Sequence, residues 1–279
     1  MRLKVVHQTR FQYSEEIADT AMELRLRPRD GAGQRCLSYD LRVFPPGPVR
    51  NYNDSFGNTV ETYNQRRAHH ELLIEARSLV ETSRDGGPIV DQPTRGEKFM
   101  MLRLAGAVED LPEVRQLARD LAGGDEPEPS PELLTTLARG IHERFTYQPN
   151  VTTVDSTVGD LLRLGQGVCQ DFAHLWLALC RVLGIPARYV SGYIYPGELR
   201  GSQASHAWGE AWLDGVGWLG VDPTNWTETT GGRIGEQHVA VAVGRDYRDV
   251  PPTRGVYRGS AQETLEVEVR VEAMEVAAR

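Results

Sequence analysis

The strongest constraint on this chain is a stretch near its middle, in which a cysteine follows closely spaced glycines and opens a long apolar segment. Gly165 and Gly167 bracket Gln166, and a helical pattern of apolar residues begins at Cys169. Glycines at such positions let the backbone turn tightly into the first residues of a helix. The sequence therefore predicts that Cys169 lies at a helix N-terminus, where free N–H groups and the helix dipole favour an anion such as a thiolate.

The helix that starts at Cys169 is predicted to be mostly buried. Apolar residues recur at helical spacing on the face that carries Cys169, and Leu175 and Leu179 widen that face. A buried helix holds its first residue rigidly. A free cysteine is by itself more often a small buried apolar residue than a nucleophile. Other reactive residues in the sequence must therefore decide between the two interpretations.

A histidine and an aspartate follow this helix, both in predicted strands. The segment 205–213 alternates, with His206 on the same face as Trp208, and a turn then returns the chain through Asp222. A three-residue turn pairs Trp208 with Asp222 and makes His206 and Asp222 diagonal neighbours on one face. A two-residue turn would place them on opposite faces. The three-residue register is the prediction.

These residues together suit nucleophilic acyl transfer. The Asp222 carboxylate accepts the proton of one imidazole nitrogen of His206 and orients the ring, so the other nitrogen can accept the thiol proton of Cys169. The thiolate then attacks an amide or peptide carbonyl, and the helix N-terminus donates an N–H group to the oxyanion. A second oxyanion donor is required, and Gln166 and Tyr147 are the candidates.

Three segments carry these residues: GVCQDFA at 167–173, SHAWGEAW at 205–212 and GVDPT at 220–224. Together they resemble the three motifs of the bacterial transglutaminase-like superfamily. The resemblance implies that Cys169, His206 and Asp222 form, in this chain order, a papain-like catalytic triad. It covers nearly the whole chain, because the strand-rich first residues resemble the N-terminal β domain that often precedes this core.

The first part of the chain is predicted to be β structure. Residues 21–28 alternate and end at a proline, and 53–58 form a turn between two short strands. Several short strands with regular turn signals indicate a small antiparallel β-sandwich. We therefore expect an α+β chain, with an antiparallel β domain over residues 1–88. The resemblance implies a transglutaminase-like or papain-like core over residues 89–279, in which a buried helix packs against an antiparallel sheet.

The composition excludes several classes of protein. The 279 residues carry a net charge of -8, which argues against general binding to nucleic acid or anionic membranes. The chain has no apolar run long enough to span a bilayer and no apolar leader at its start. Its 3 cysteines include no Cys-x-x-Cys pair, which favours a reducing cytoplasm without disulfides.

The remaining candidate residues have simpler interpretations beside the functional one. Asp171, in the first turn of the Cys169 helix, complements the dipole or caps N–H groups, and it is also counted as a candidate oxyanion or substrate residue. Trp208 is either a core residue or a wall of the substrate cleft. No metal site or cofactor is expected, because the triad residues lack the short ligand spacing typical of zinc sites.

The leading hypothesis is a cytoplasmic cysteine acyltransferase that acts on a protein or peptide substrate through a thioester. An amine acceptor would make it a transglutaminase, for which a glutamine side chain is the candidate donor, and water would make it a peptidase or amidase. The rival hypothesis is a catalytically silent binding module of the same fold. The sequence does not indicate an oligomeric state.

Overall fold

The computed structural model describes residues 1–31, 33–83, 92–124, 126–195, 199–200 and 205–274. The first strands are β1 Arg2–Leu24, β2 Gln34–Phe44, β3 Val49–Asn53, β4 Thr59–Gln65 and β5 His69–Thr82. The helices are α1 Arg95–Leu102, α2 Pro112–Ala122, α3 Pro131–Arg144, α4 Val158–Leu164 and α5 Cys169–Val182. The later strands are β6 Thr146–Tyr147, β7 Gln166–Gly167, β8 Ala187–Ile194, β9 His206–Leu213, β10 Gly217–Val221, β11 His238–Gly244, β12 Thr253–Arg258 and β13 Glu263–Ala273.

The N-terminal strands are organised around β1, which takes part in two antiparallel ladders. Residues 2–13 of β1 pair with β5 and β13, and residues 18–24 pair with β4 and β12. The register of β1 against β5 shifts between Gln12 and Ile17, which allows the long strand to change direction. Apolar side chains from both halves of β1 share one core cluster, and Phe11 and Leu24 belong to it. The predicted antiparallel sandwich is confirmed.

The end of the chain returns to this first sheet. The clean alternation near residue 265 predicts a strand that completes a sheet, and β13 pairs with β1 along its whole length, from Leu3 against Ala273 to Tyr13 against Glu263. Strand β12 pairs with the second half of β1. The division of the chain into 1–88 and 89–279 stays a prediction, because its boundary lies outside the described residues. Its second part nevertheless contributes two strands to the sheet of the first.

The second layer is the four-stranded antiparallel sheet β10-β9-β8-β11, against which α5 packs. Ala207 and Ala211 of β9 share a core cluster with α5, whereas Trp208 packs with Val190 and Val243 on the other face. Gly209 allows the close approach of the helix, because a Cβ there would lie 2.3 Å from the Trp176 ring. The predicted α+β core, with a buried helix on an antiparallel sheet, is confirmed.

Two amide side chains join the sheets. Strand β11 is an edge strand, so its outer backbone groups need partners. Gln34 accepts from the Ala240 N–H and donates to the Ala240 carbonyl, both at 2.8 Å. Asn58 makes the same pair of bonds with Val243, also at 2.8 Å. Each amide therefore pairs with the edge as another strand would.

In the described part of the chain, no helix combines the length and the apolar character that a membrane span requires.

Candidate active site

The structure places Cys169 at the first position of α5, as the sequence predicts. Gly165 ends α4 in the left-handed region, with φ of 68°, and the chain then enters α5 through β7 and Val168. Asp171 accepts a hydrogen bond from the Val168 N–H at 2.8 Å and so fixes this entry. Cys169 is 9% exposed, so this residue is almost completely enclosed at the head of a buried helix.

The hairpin β9–β10 brings His206 and Asp222 together. Its register pairs Leu213 with Gly217 and Gly209 with Val221, which is the predicted three-residue turn. His206 Nε2 lies 2.7 Å from Asp222 Oδ2, and both side chains are almost completely buried. The predicted contact between the imidazole and the carboxylate therefore forms without any break in the strand pairing.

Asp222 accepts several further hydrogen bonds. Its Oδ1 accepts the backbone N–H groups of Thr224 at 2.9 Å and Asn225 at 3.3 Å. Its Oδ2 accepts the Asn225 amide at 2.8 Å and faces His238 Nε2 at 3.3 Å. A buried carboxylate with this many donors is held ionised and in one orientation.

The charges of the pair reinforce each other. Burial disfavours the imidazolium of His206, but the negative charges of Asp222 and then Cys169 outweigh it and raise the pKa of His206 to about 10. Burial also disfavours the carboxylate of Asp222, but the charge and hydrogen bonds of His206 and His238 hold its pKa well below the usual range. The favoured state of the buried pair is imidazolium and carboxylate.

The other nitrogen of His206 is directed to the third residue. Because Nε2 contacts Asp222, Nδ1 is the nitrogen left for Cys169, whose sulfur is among the groups that raise the pKa of His206. Nδ1 has no hydrogen-bond partner among the residues that the structure describes. Cys169, His206 and Asp222 thus lie in the order in which a proton would move from sulfur to imidazole.

Comparisons with known proteins agree on one family. The Transglutaminase-like superfamily matches residues 115–223, and the Bacterial transglutaminase-like N-terminal region matches residues 3–81. The uncharacterized protein ML0607 of Mycobacterium leprae is 34% identical over 288 residues, which cover 97% of this chain and 98% of that protein. The chain belongs to the transglutaminase-like superfamily.

Two further similarities concern parts of this transglutaminase-like chain or its fold. A protein-glutamine gamma-glutamyltransferase of Pseudomonas aeruginosa is 35% identical over 123 residues, which cover 40% of this chain and 18% of that protein. The crystal structure of a candidate cysteine protease from Cytophaga hutchinsonii superposes with a TM-score of 0.76 at 23% identity, covering 99% of this chain and 92% of that one. This likeness establishes a shared fold over nearly the whole chain.

The two candidate oxyanion donors lie on two paired strands, one residue out of register with each other. In the transglutaminase-like core, β6 and β7 form a short parallel ladder that pairs Tyr147 with Gly167 and Thr146 with Gln166. Gln166 is exposed. Tyr147 is half-buried, and burial followed by the charge of Cys169 raises its pKa to about 12. Its hydroxyl is therefore a protonated donor at neutral pH, in the electrostatic range of the sulfur.

Asp171 and Trp208 have structural contacts. Asp171 Oδ2 accepts from Val168 and, at 2.7 Å, from the Thr152 hydroxyl, which is the capping role that its place in the first turn suggests. Trp208 is fully buried, and its ring lies 6.2 Å from that of His206 and 5.3 Å from that of His238. A part for either residue in substrate binding stays a prediction.

Three side chains meet the geometric requirement for a metal site within the described residues. His206, Asp222 and His238 each offer a ligand atom, and these atoms lie within 4.8 Å of one another. The 2.7 Å contact between His206 and Asp222 is the length of a charge-assisted hydrogen bond. Two ligands that each lie about 2 Å from one zinc ion would stand farther apart in a tetrahedral site. We therefore assign the atoms to a hydrogen-bonded network and identify no metal ligands.

The sequence interpretation missed Asn225 and His238. Asn225 follows Asp222 by three residues, and its amide contacts both Asp222 Oδ2 and, at 3.4 Å, His206 Nε2. That short spacing within a Pro-containing turn is a signal that could have been used. His238 lies on β11, which pairs with β8, a strand distant from it in the sequence. The approach of His238 to Asp222 therefore has no local sequence signal.

Proposed function

We propose that this protein is a cysteine-dependent acyltransferase that acts on amide carbonyls of a protein or peptide substrate through a thioester. The observation that carries the proposal is the buried contact of 2.7 Å between His206 and Asp222, with the second imidazole nitrogen left for the cysteine at the head of α5. A binding module with no chemistry has no need of a buried ion pair whose second nitrogen is unpartnered.

The first step forms the thioester. With His206 held as an imidazolium, its Nδ1 carries the proton given up by Cys169 Sγ, and the sulfur attacks the substrate carbonyl carbon to form a C–S bond. The amide C–N bond then breaks, and the proton passes from His206 to the leaving nitrogen, which departs as ammonia or an amine. Asp222 stays ionised throughout, because its part is to orient the ring and stabilise the imidazolium.

The developing oxyanion needs donors close to the sulfur. Cys169 is the first residue of α5, so its backbone N–H is among the groups that no earlier turn of the helix can use. The positive end of the helix dipole favours negative charge at the same point. The Tyr147 hydroxyl is our choice for the second donor, because it is protonated at neutral pH and close enough to sense the charge of Cys169.

The second step decides the class of enzyme. A primary amine or a water molecule attacks the thioester carbonyl and gives a proton to His206 Nδ1, the C–S bond breaks, and the resting pair of cysteine and imidazole is restored. We favour an amine acceptor and a glutamine side chain as donor, because a Pseudomonas aeruginosa relative that is 35% identical over 40% of this chain is named as a protein-glutamine gamma-glutamyltransferase. The alternative, resolution by water, has the same first step and would make the protein a peptidase or amidase.

A single assay separates these outcomes. The protein is incubated with a library of glutamine-containing peptides and a fluorescent primary amine, and the products are analysed by mass spectrometry. Covalent amine incorporation with release of ammonia supports the transferase, whereas deamidated glutamine or new peptide termini support the hydrolase. A library left unmodified by the wild type, with Cys169 alkylated no faster than Cys36, would argue for the binding module.

The matched controls are two cysteine variants. Cys169→Ala removes the nucleophile, and we expect activity to fall at least about 1,000-fold. Cys36→Ser changes a thiol on β2 whose sulfur donates to the Ser38 carbonyl at 3.4 Å, and its activity should equal that of the wild type. Equal activity in Cys169→Ala and the wild type would contradict the proposal.

A further inference from the structure

A second histidine contacts the carboxylate of the proposed triad. His238 begins β11, the edge strand at the far side of the sheet from β10. Its Nε2 lies 3.3 Å from Asp222 Oδ2, and its side chain is only 8% exposed. No step of the proposed acyl transfer uses this ring, so its burial against Asp222 needs another explanation.

The hydrogen bonds of His238 fix its tautomer. Its Nδ1 accepts the backbone N–H of Gly235 at 3.3 Å, and a backbone N–H can only donate. Nδ1 therefore carries no proton in the neutral ring, and the proton lies on Nε2. His238 is consequently a donor to Asp222, on the same carboxylate oxygen that accepts the hydrogen bond of His206.

The ring of His238 has little freedom to leave this position. It packs edge to face on Trp208, with ring centroids 5.3 Å apart, and lies 6.3 Å from the ring of His206. Its backbone N–H is bonded to the Gly235 carbonyl at 3.0 Å, so the turn before β11 holds the residue at both ends. A donor fixed in this way restrains the oxygen that it contacts.

We infer that His238 is a positioning residue, which donates Nε2–H to Asp222 and so holds that carboxylate against His206. The role that we assign to His238 rests on the proposed acyl transfer. The contact between His238 and Asp222 is independent of that proposal. Without the donor, Asp222 Oδ1 keeps the backbone N–H groups of Thr224 and Asn225. Oδ2 is then held by His206 and the Asn225 amide alone and can shift toward Asn225. The imidazolium of His206 would then be less stabilised.

Several groups act on the charge of His206, and each must stay constant in a test. Cys169 approaches it from α5, Asp222 from the end of β10, and His238 from β11. Tyr147 of β6 interacts with Cys169 and Asp222, and the guanidinium of Arg200 lies 5.9 Å from the Tyr147 ring. Substitutions of His238 leave the other four side chains in place.

The test uses two substitutions that separate the donor from the ring. In His238→Gln the amide nitrogen replaces Nε2 as a donor, whereas His238→Phe keeps the ring packing on Trp208 and has no donor. His70→Phe is the matched control, because His70 is exposed on β5 and its charged neighbour is Glu16 of β1. Thermal unfolding of each variant accompanies the measurement.

The readout is alkylation of Cys169, followed by mass spectrometry between pH 6 and pH 11. Iodoacetate is anionic and is attracted by an imidazolium, whereas iodoacetamide is neutral, so the ratio of their rates reports the charge of His206. We expect the ratio to fall at a pH about one unit lower in His238→Phe than in the wild type, which is about tenfold in the acid dissociation constant. His238→Gln and His70→Phe should follow the wild type.

Two results would overturn the inference. One is an unshifted ratio in folded His238→Phe, and the other is an equal shift in His238→Gln, which would assign the effect to ring packing. If His238→Phe does not fold, the ¹⁵N spectrum of the wild-type histidines decides, since a proton on Nδ1 of His238 would exclude the donor. Slow alkylation of wild-type Cys169 would count against the proposed function alone, because the tautomer of His238 is measured independently.

Discussion

Two buried histidines, one in each half of the molecule, differ in what surrounds them. His7 on β1 and His206 on β9 are both 1% exposed. His7 contacts two hydroxyls, Tyr193 at 2.9 Å and Thr9 at 3.0 Å, and burial lowers its pKa to about 4. His206 is equally buried, but the carboxylate of Asp222 reverses the direction and raises its pKa to about 10.

The comparison shows that burial alone does not make a reactive histidine. Neutral partners leave the desolvation of the ring unopposed, so His7 is an uncharged part of the contact between β1 and β8. A fixed carboxylate compensates for that desolvation at His206 and stabilises the form that can protonate a leaving group. The partner of the ring, and not its burial, therefore distinguishes the candidate site from the structural contact.

The largest expected effect comes from removing the charge of that partner. Asp222→Asn keeps the shape of the side chain but no longer stabilises an imidazolium, so we expect kcat to fall about 100- to 10,000-fold. The peptide and amine assay described above measures the loss. Activity should not vanish, because Cys169 and the helix N-terminus remain.

The matched control for that variant is Thr9→Val, which removes a partner of the other histidine. Its activity should equal that of the wild type. Loss of activity in Thr9→Val, or full activity in Asp222→Asn, would break the distinction between the two histidines.

The second prediction concerns the free energy of unfolding at acidic pH. The folded-state pKa of His7, about 4, lies below the ordinary value of 6.5. As pH falls from 6.5 toward 4, the His7 ring binds a proton in the unfolded chain but not in the folded chain. The free energy of unfolding therefore decreases in this pH range, and His7 does not affect it at higher pH. The loss for this residue amounts to about 3 kcal/mol.

Urea unfolding of the wild type and His7→Gln at a series of pH values tests this prediction. The difference in free energy of unfolding between the two should be constant above pH 7 and should change in favour of His7→Gln below it. A difference that is constant from pH 7 to pH 4 would mean that His7 binds a proton in the folded protein.

The third prediction concerns the contact between the N-terminal β structure and the edge strand β11, which Asn58 and Gln34 form. Asn58 is fully buried, and Asn58→Ala leaves the N–H and the carbonyl of Val243 without their partner on the edge of β11. We expect a loss of about 2 kcal/mol in the free energy of unfolding. Urea unfolding at pH 7 is the measurement.

Gln34→Ala is the companion variant at the same edge. Gln34 makes the equivalent bonds to Ala240 but is only partly buried, so water can replace it and the loss should be smaller. Equal losses for Asn58→Ala and Gln34→Ala would show that burial does not set the strength of this contact.

The smallest expected effect is that of Thr9→Val on stability. It removes a hydroxyl from a buried contact with His7 and leaves Nε2 of that ring unpaired, at an expected cost of about 1 kcal/mol at pH 7. Thermal unfolding measures it. A variant that is more stable than the wild type would mean that the Thr9 hydroxyl does not stabilise the contact with His7.

Local patterns predicted the parts of the site that are local in the chain. The glycine-bracketed turn and the apolar periodicity determine where α5 begins, and the three-residue turn after Leu213 determines the register that joins His206 to Asp222. Both depend on residues fewer than 20 positions apart. The prediction of a buried helix behind Cys169 was correct for the same reason.

The sequence could not predict which strands pair over long distances in the chain. The alternation of 265–271 predicts a strand but does not identify β1, far away in the chain, as its partner. The approach of His238 to Asp222 likewise depends on the pairing of β11 with β8, which no local pattern specifies. The hydrogen-bond network around the carboxylate therefore required the three-dimensional arrangement.

The central claim is that Asp222 holds His206 as an imidazolium beside Cys169. The most direct measurement is the ¹⁵N spectrum of the histidine side chains at pH 8, assigned with His206→Gln and His7→Gln. We predict that both ring nitrogens of His206 carry protons at this pH, while the ring of His7 is neutral. A neutral His206 at pH 8 would contradict the account.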